Sequence, residues 1–493
     1  MTRAAAVAAL AVAACTPAAV HAPREASCAG SAHAAFDRDA YLQDLDALTA
    51  DMSSHYANLD YAVRVRRLDL PAVLARARAR LRAATTDDQA HRAFKQFLNA
   101  FGDAHLDIEW SPRAEPASAP GTGSLCARLG YAPPEQTGVS RPGVEFARVV
   151  SYTPASDADA ADIPGGVVEL GVGHRLGVVR IGVFMETAHP ALCELARADL
   201  HLADDAACDD DCSDRVEIAV ADRLTAAVER RVAALAAAGV GAIAVDLTGN
   251  GGGTNWVQPV LRTLTAAHLP ALAFDVVRHP HWVKPLGDEI AALEQESAAH
   301  GDLPHGELAA AIAAHEAVLA EVRAPCDRGA LWTTVDAAPA CTQLARVPPV
   351  LAYAAPGELA ARGNRAALFP PSLYRYREGV NRLPLAVLVD GGTASAAEDF
   401  AAQLQDAHAA LIVGSTTAGA GCGFTNGGIA TVLPRSRASV KLPDCVRLRA
   451  DGSNAVAGVT PDVALPLLDR DSPFERATKL VAGLRDAWPR IVH

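Results

Sequence analysis

A serine with the surroundings of a nucleophile occupies position 395, shortly after an apolar segment that ends at Asp390. Its neighbours are small: residues 391–394 are Gly-Gly-Thr-Ala, and Ala396 and Ala397 follow the serine. A turn from a strand into a helix at this point would expose the hydroxyl at the carboxyl edge of a sheet. The N–H groups and the positive dipole end of that helix could then stabilise a developing oxyanion.

The same serine also has a purely structural interpretation. Ser395 and Glu398 have the spacing of a capping box, and serine is among the commonest residues at helix N-termini. On this segment alone, the helix cap is the more frequent role. A catalytic role for Ser395 therefore depends on motifs elsewhere in the chain.

A glycine-rich turn follows a second, mostly apolar segment. Residues 242–247 lead into Thr-Gly-Asn-Gly-Gly-Gly at 248–253. Glycine allows positive φ and close approach of a substrate to the backbone, although an ordinary turn would have the same composition. A phosphate loop is excluded because no Gly-Lys-Ser/Thr follows. A dinucleotide fingerprint is excluded because Gly249 and Gly251 lack a glycine at position 254.

Both turns lie in a region where strands and helices alternate. Strands are predicted at 177–184, 242–247, 383–390 and 409–413, and helices at 216–238, 254–267 and 396–405. This alternation predicts an α/β fold that contains βαβ units and a largely parallel sheet.

The remaining segments are predicted to surround this core. Residues 36–110 have apolar residues at three- and four-residue steps and form an N-terminal helical domain. The core is assigned to residues 125–470. An acidic, cysteine-bearing insert at 186–215 and a helical insertion at 270–380 interrupt it.

Five motifs in a fixed order resemble those of a known peptidase clan. They are GVVRIGVF at 177–184, DLTGNGGG at 246–253, TASAAE at 393–398, GSTTAG at 414–419 and GVTPD at 458–462. The set is similar to that of carboxyl-terminal-processing (tail-specific) proteases, tricorn core proteases and interphotoreceptor retinoid-binding-protein repeats. The resemblance implies a crotonase-like α/β core and a serine peptidase with Ser395 as nucleophile.

The resemblance also indicates the general base. The processing proteases use a lysine at the position of Ala420, and none of the four lysines of this chain lies in that turn. The tricorn-like branch uses a histidine just after the N-terminal helices, and His105 matches it. A neutral imidazole can accept the proton of a serine hydroxyl and return it to the leaving group. A Ser395–His105 mechanism is therefore predicted.

The supporting groups match the clan less well. Its oxyanion donors correspond to the backbone amides of Gly251, Gly252 and Ala396. The serine and the glutamate that support the histidine in tricorn-type enzymes are replaced by Ala104 and Ala455.

Two aspartates, Asp103 and Asp462, are candidates to orient the His105 ring instead. Because the matched supports are missing, a second hypothesis stays open: a catalytically weak or inactive binding protein on the same fold. An esterase with the same machinery is a third.

Composition limits the partners of the chain. The 493 residues carry a formal net charge of -13, which argues against nucleic acid because phosphate binding requires a basic surface. Peptides or unfolded proteins are the expected substrates. No cofactor or metal is predicted, since the pair His279 and His281 is interpreted as part of a loop and the pair Cys208 and Cys212 as disulfide cysteines.

The first residues are typical of an export signal. Arg3 precedes an apolar segment at 4–14, and Cys15 follows it as in a bacterial lipoprotein box, which predicts lipidation and a membrane tether at Cys15. Cleavage near Ala22, at the end of a signal over residues 1–22, is the alternative. Ten cysteines favour disulfides in an oxidising compartment. The protein is therefore predicted to be periplasmic or membrane-anchored, and otherwise secreted.

Overall fold

The computed structural model describes residues 36–110, 123–334, 341–423, 431–468 and 470–492. The α-helices of these ranges are α1 Arg38–His55, α2 Leu59–Arg64, α3 Leu70–Ala83, α4 Asp87–Asn99, α5 Leu125–Arg128, α6 Pro134–Thr137, α7 Pro190–Asp199, α8 Asp210–Ala237, α9 Val257–Leu264, α10 Val283–His300, α11 Glu307–Val322, α12 Arg365–Leu368, α13 Ala396–Asp406 and α14 Pro473–Val492. The strands are β1 Asp107–Glu109, β2 Tyr152–Pro154, β3 Gly165–Gly171, β4 His174–Arg180, β5 Ala242–Asp246, β6 Phe274–Val277, β7 Leu344–Val347, β8 Leu385–Val389, β9 Leu411–Gly414, β10 Thr431–Val432, β11 Ser439–Lys441, β12 Cys445–Arg447 and β13 Val463–Ala464.

The first four helices form the predicted N-terminal helical region. Side-chain oxygens of Asp37, Asp69 and Thr86 cap α1, α3 and α4, and each accepts a free N–H of the first turn. The apolar faces of these helices meet in one core that includes Phe94 and Phe97. Burial of each such side chain contributes about 1.5–3 kcal/mol to folding.

A seven-stranded sheet forms the centre of the molecule, in the order β13-β9-β8-β5-β4-β3-β2. The neighbouring strands β4, β5, β8 and β9 are parallel, whereas β2 and β3 pair antiparallel at one edge. Every residue of β5 and β8 is buried, as expected for parallel strands that are covered on both faces. The predicted α/β class with a crotonase-like core and a helical N-terminal region is confirmed.

Helices cover the two faces of this sheet. On one face α8, α9 and α13 contribute side chains such as Leu224, Val260 and Phe400 to the largest core cluster. On the other face α14 contributes Leu480 and Trp488. Helix α14 was not predicted from the sequence, although its apolar residues recur at helical spacing.

The segment predicted as a helical insertion contains the hairpin of α10 and α11. Strands β6 and β7 of the same segment pair with β12 in a small sheet of order β12-β6-β7. A second small sheet, β1-β11-β10, joins the end of the N-terminal helical region to the carboxyl-terminal part of the core.

Four disulfides join all eight cysteines of the described residues: Cys126–Cys193, Cys208–Cys212, Cys326–Cys341 and Cys422–Cys445. Disulfides persist in oxidising compartments, so these bonds indicate an extracellular or periplasmic protein. The predicted export signal, with Cys15, lies outside the described residues. Within the described ranges no helix has the length and apolar character needed to cross a membrane.

Candidate active site

Ser395 lies between β8 and α13, at the predicted strand-to-helix turn, and it is half-buried. Its backbone has φ 52° and ψ −117°, outside the regions that L-residues normally occupy. Residues held in such conformations are concentrated at functional sites, where the surrounding structure enforces them. A serine that only capped the helix would have the extended backbone typical of an N-cap.

The glycine turn lies directly against this serine. A Cβ built on Gly252 would lie 2.7 Å from the Ser395 Cβ and 2.9 Å from the Ala396 amide nitrogen. Gly252 also has φ +100°, a conformation that residues with side chains rarely adopt. Position 252 therefore requires glycine both for its backbone conformation and for its contact with Ser395.

Hydrogen bonds join the serine turn to the glycine turn. The Asn250 carbonyl accepts the Ala394 N–H at 2.9 Å, while the Asn250 side-chain amide donates to the Ile181 carbonyl at 2.9 Å. The Asp390 carboxylate accepts the Gly249 N–H at 2.8 Å. The ends of β5 and β8 are thereby fixed relative to each other.

The predicted oxyanion donors differ in their availability. The Gly252 N–H already donates to Asn250 Oδ1 at 2.8 Å. Ala396 is the first residue of α13, so its N–H has no acceptor within the helix. The Gly251 N–H has no acceptor among the residues that the structure describes. Ala396 and Gly251 are thus the unoccupied donors, whereas Gly252 would have to share its hydrogen.

Glu398 holds the serine turn from the first turn of α13, where it is buried. Its carboxylate accepts the Ser395 N–H at 2.9 Å. It also accepts the Thr417 hydroxyl and, at 2.7 Å each, the amides of Gly419 and Ala420. The sequence predicted only a capping box for this glutamate and gave no local signal for its contact with the turn at 417–420.

His105 follows α4 in a loop and is half-buried. Its ring Nδ1 lies 3.2 Å from the Cys422 carbonyl oxygen. Because a carbonyl can only accept, this contact places the proton of the neutral imidazole on Nδ1 and leaves Nε2 as an acceptor. A general base requires this tautomer.

The surroundings of His105 keep its ring neutral. Burial lowers the pKa of the imidazole, and the positive charge of Arg447 lowers it further. The Cys422 carbonyl and Glu398 oppose this shift without reversing it. An imidazole with a pKa below its ordinary value of 6.5 is unprotonated at pH 7 and can accept a proton.

Hydrogen bonds link the loop that carries His105 to the turn that carries Ser395. The Ala104 N–H donates to the Gly419 carbonyl at 3.4 Å. The Gly419 N–H donates to Glu398, which also accepts the Ser395 N–H. Arg447 donates to the Ser395 carbonyl at 3.3 Å and acts on the pKa of His105 as well. The structure therefore brings the loop that carries His105 to the turn that carries Ser395.

The two candidate aspartates direct their hydrogen bonds away from the His105 ring. The Asp103 carboxylate accepts the His105 backbone N–H at 3.1 Å, together with the Tyr56 hydroxyl and the Asn58 amide. Asp462 accepts from residues of α13 and β9 instead. The group found at Nδ1 is a backbone carbonyl, which residue types in a sequence cannot indicate.

In the described parts of the chain, no group of three or more His, Cys, Asp or Glu residues is arranged to hold a metal ion. Cys208 and Cys212 form a disulfide, as expected, and so are not free to bind zinc. His279 and His281 contact each other through their Nδ1 atoms at 2.8 Å.

Comparison with known proteins relates part of this chain to a peptidase family and relates its fold to that of a protease. Residues 329–465, which include Ser395, match the family model described as peptidase family S41. A mutant of CPAF has a similar structure, with a TM-score of 0.55 and 14% identity over 92% of this chain and 98% of that chain. Mature CPAF complexed with lactacystin gives a TM-score of 0.50 and 15% identity over 92% of this chain and 99% of that chain. No curated protein matches the sequence.

These findings confirm the resemblance to the carboxyl-terminal-processing peptidases. The family match supports a peptidase, and at these identities the similarity to CPAF shows a common fold.

Proposed function

We propose that this protein is a serine peptidase in which Ser395 attacks the peptide carbonyl and His105 is the general base. The observation that carries the proposal is the strained backbone of Ser395, packed against Gly252 and held by Glu398. A helix cap needs no such strain. A nucleophile, in contrast, needs an accessible hydroxyl beside free backbone amides.

His105 Nε2 accepts the hydroxyl proton as Ser395 Oγ bonds to the carbonyl carbon. The proton then passes to the leaving amine, the peptide bond breaks and an acyl-enzyme remains, which water hydrolyses through the same base. The bond from Nδ1–H to the Cys422 carbonyl retains the required tautomer. A carbonyl stabilises the imidazolium less than a carboxylate would, so we expect slower turnover than with a complete triad.

Backbone N–H groups of Ala396 and of the glycine turn are assigned to stabilise the oxyanion of this reaction. The Ala396 N–H lies at the positive end of α13, and Gly251 adds a second free amide. Gly252 can contribute only a shared hydrogen, because Asn250 accepts it. Each donor of this kind contributes about 10²–10³ in rate.

The proposed substrates are peptides or unfolded proteins outside the cytoplasm. An extended chain can present its carbonyl to Ser395, whereas the backbone of a folded protein is already hydrogen-bonded and enclosed. Export, with a lipid tether at Cys15 or, as the alternative, cleavage near Ala22, belongs to the same proposal and rests on the sequence.

Hydrolysis of an unfolded protein carrying quenched fluorophores tests this function. Wild-type protein should release fluorescence, and Ser395→Ala and His105→Ala should each lower the rate by about 10³ or more. His305→Ala removes an exposed histidine of the insertion and should leave the rate unchanged. Equal rates for wild type and Ser395→Ala would contradict the proposal.

A non-catalytic binding protein is the second candidate. Ala104, Ala420 and Ala455 stand where the peptidases of the clan carry supporting or basic groups. A protein of this kind would bind the unfolded chain equally well with or without the Ser395 hydroxyl. It would release no fluorescence in the same assay.

A further inference from the structure

An open cavity of about 350 Å³ lies between α3 and α4 of the N-terminal helical region, and none of its residues takes part in the site described above. It is lined by two arginines, two carboxamides and an apolar floor: Arg76, Arg80, Gln96, Asn99, Val73, Phe97 and Ala100. Its polar side chains are exposed, while Val73 and Phe97 are buried beneath them. Such a lining combines hydrogen-bond donors with an apolar surface.

The cavity lies in a basic part of an acidic protein. Residues 64–100 contain nine arginines and lysines against three aspartates, a formal charge of +6, whereas the whole chain has a charge of -13. A concentration of positive charge around a concave surface attracts anions.

Within the described residues, the two arginines of the cavity have no carboxylate partner, unlike two basic residues beside them. Arg78, on the same helix, binds Asp46 at 2.8 Å, and Lys95 on α4 forms an ion pair with Asp107. Among the described residues, neither Arg76 nor Arg80 has an acidic partner. Like charges four residues apart on a helix repel each other, and a bound anion would relieve this repulsion, which no acidic side chain of the described residues neutralises.

We propose that this cavity binds a small organic oxyanion, a carboxylate or a phosphate that carries an apolar group. The planar guanidinium groups of Arg76 and Arg80 suit the oxygens of such an ion, which they can bind in pairs. The carboxamides of Gln96 and Asn99 add neutral donors at the rim. Phe97 in the floor offers an apolar surface to the rest of the ligand.

Calorimetric titration of the whole protein at low salt tests the site with three probes. They are hexanoate, inorganic phosphate and vesicles that contain phosphatidylglycerol, which distinguish a soluble anion from a lipid headgroup. We expect saturable binding with a 1:1 stoichiometry, at least tenfold weaker in Arg76→Gln/Arg80→Gln. The control variant Arg82→Gln/Arg92→Gln removes the same charge from exposed residues of the same helices outside the cavity and should change affinity less than twofold.

Each outcome decides the matter. Binding of vesicles alone, with the same dependence on Arg76 and Arg80, supports the site and identifies a lipid headgroup as its source of oxyanion. Absence of binding to all three probes overturns the proposal. Equal weakening in the two double variants also overturns it, because the effect would then come from net charge and not from the cavity. The result is independent of peptidase activity, since no active-site residue is altered.

Discussion

Ser395 has a backbone conformation that costs free energy, of the order of 1–3 kcal/mol, and the contacts around it hold it there. Glu398 binds its N–H and Arg447 binds its carbonyl, so both ends of the residue are fixed. Gly252 provides the space in front of its side chain. Strain at a single residue, maintained by three others, is what separates this turn from an ordinary helix cap.

Gly252→Ala should impair peptidase activity severely and lower the stability of the protein moderately. The added Cβ would lie 2.7 Å from the Ser395 Cβ, and the alanine would have to keep a backbone φ of +100°. We expect a loss of rate of about 10² or more and destabilisation of about 1–3 kcal/mol, measured by hydrolysis and by urea unfolding. Gly173→Ala is the control, since its φ is +76° but no atom lies within 4 Å of the added Cβ. Full activity in Gly252→Ala would contradict the geometry of the site.

Glu186 should make the protein less stable as the pH rises from about 4.5 to about 8. Burial, together with the charge of Glu217, raises the pKa of Glu186 from 4.5 to about 8. The unfolded chain releases this proton near pH 4.5 and the folded protein near pH 8, so the free energy of unfolding falls across this interval. Glu186→Gln should therefore be more stable than wild type in urea at pH 8, with the difference shrinking at pH 5. The control Glu135→Gln, at an exposed position, should change stability equally at pH 5 and pH 8. A Glu186→Gln variant whose stability difference from wild type does not depend on pH would contradict the prediction.

At the scale of elements, the site is assembled at the carboxyl ends of neighbouring parallel strands. The sequence predicted these strand ends because the apolar segments at 242–247 and 383–390 stop abruptly at glycine-rich turns. It could not predict the contact between the His105 loop and the turn at 417–422. That contact depends on long-range pairing, such as Asp107 with Lys441 in β1 and β11, for which neither segment carries a signal of its own.

The disulfide Cys422–Cys445 should matter for catalysis because it fixes the carbonyl that binds His105. Cys445 lies in β12, the strand that also carries Arg447. Cys422→Ser/Cys445→Ser should reduce the rate of hydrolysis at least tenfold and lower stability by about 3 kcal/mol. The matched control is Cys208→Ser/Cys212→Ser, which removes a disulfide from the acidic insert and should leave the rate unchanged. A similar effect on rate in both pairs would argue against a specific role for the Cys422 carbonyl.

At the scale of the whole molecule, three histidines lie where the N-terminal helices meet the insertion. His55 is the last residue of α1. The centroid of its ring lies 4.8 Å from the ring centroid of His279 and 5.7 Å from that of His281. His281 is also 3.3 Å from Asp444, next to β12. His55 lies more than two hundred positions before the other two histidines, so a sequence pattern limited to one segment could identify only the His279 and His281 pair.

This cluster predicts loss of stability in acid. Burial lowers the pKa of His55 to about 3, with His279 and His281 adding to the shift, and burial likewise lowers the pKa of His279 to about 4. The unfolded chain takes up these protons near pH 6.5, so the free energy of unfolding falls as the pH drops from 6.5 towards 4. His55→Gln/His279→Gln should flatten that fall in urea unfolding, and the exposed His305→Gln should not. An unchanged acid slope in the double variant would exclude the cluster as its cause.

Covalent labelling with a fluorophosphonate, followed by peptide mapping, addresses the pairing of Ser395 and His105 without knowledge of the substrate. We predict that the label is found on Ser395, that Ser395→Ala is not labelled, and that His105→Ala reacts much more slowly. The rate should be constant above pH 7 and fall only below pH 6.5, because the pKa of His105 is lowered by its burial. A wild-type protein that remains unlabelled, or that is labelled at a different serine, would contradict the proposed mechanism.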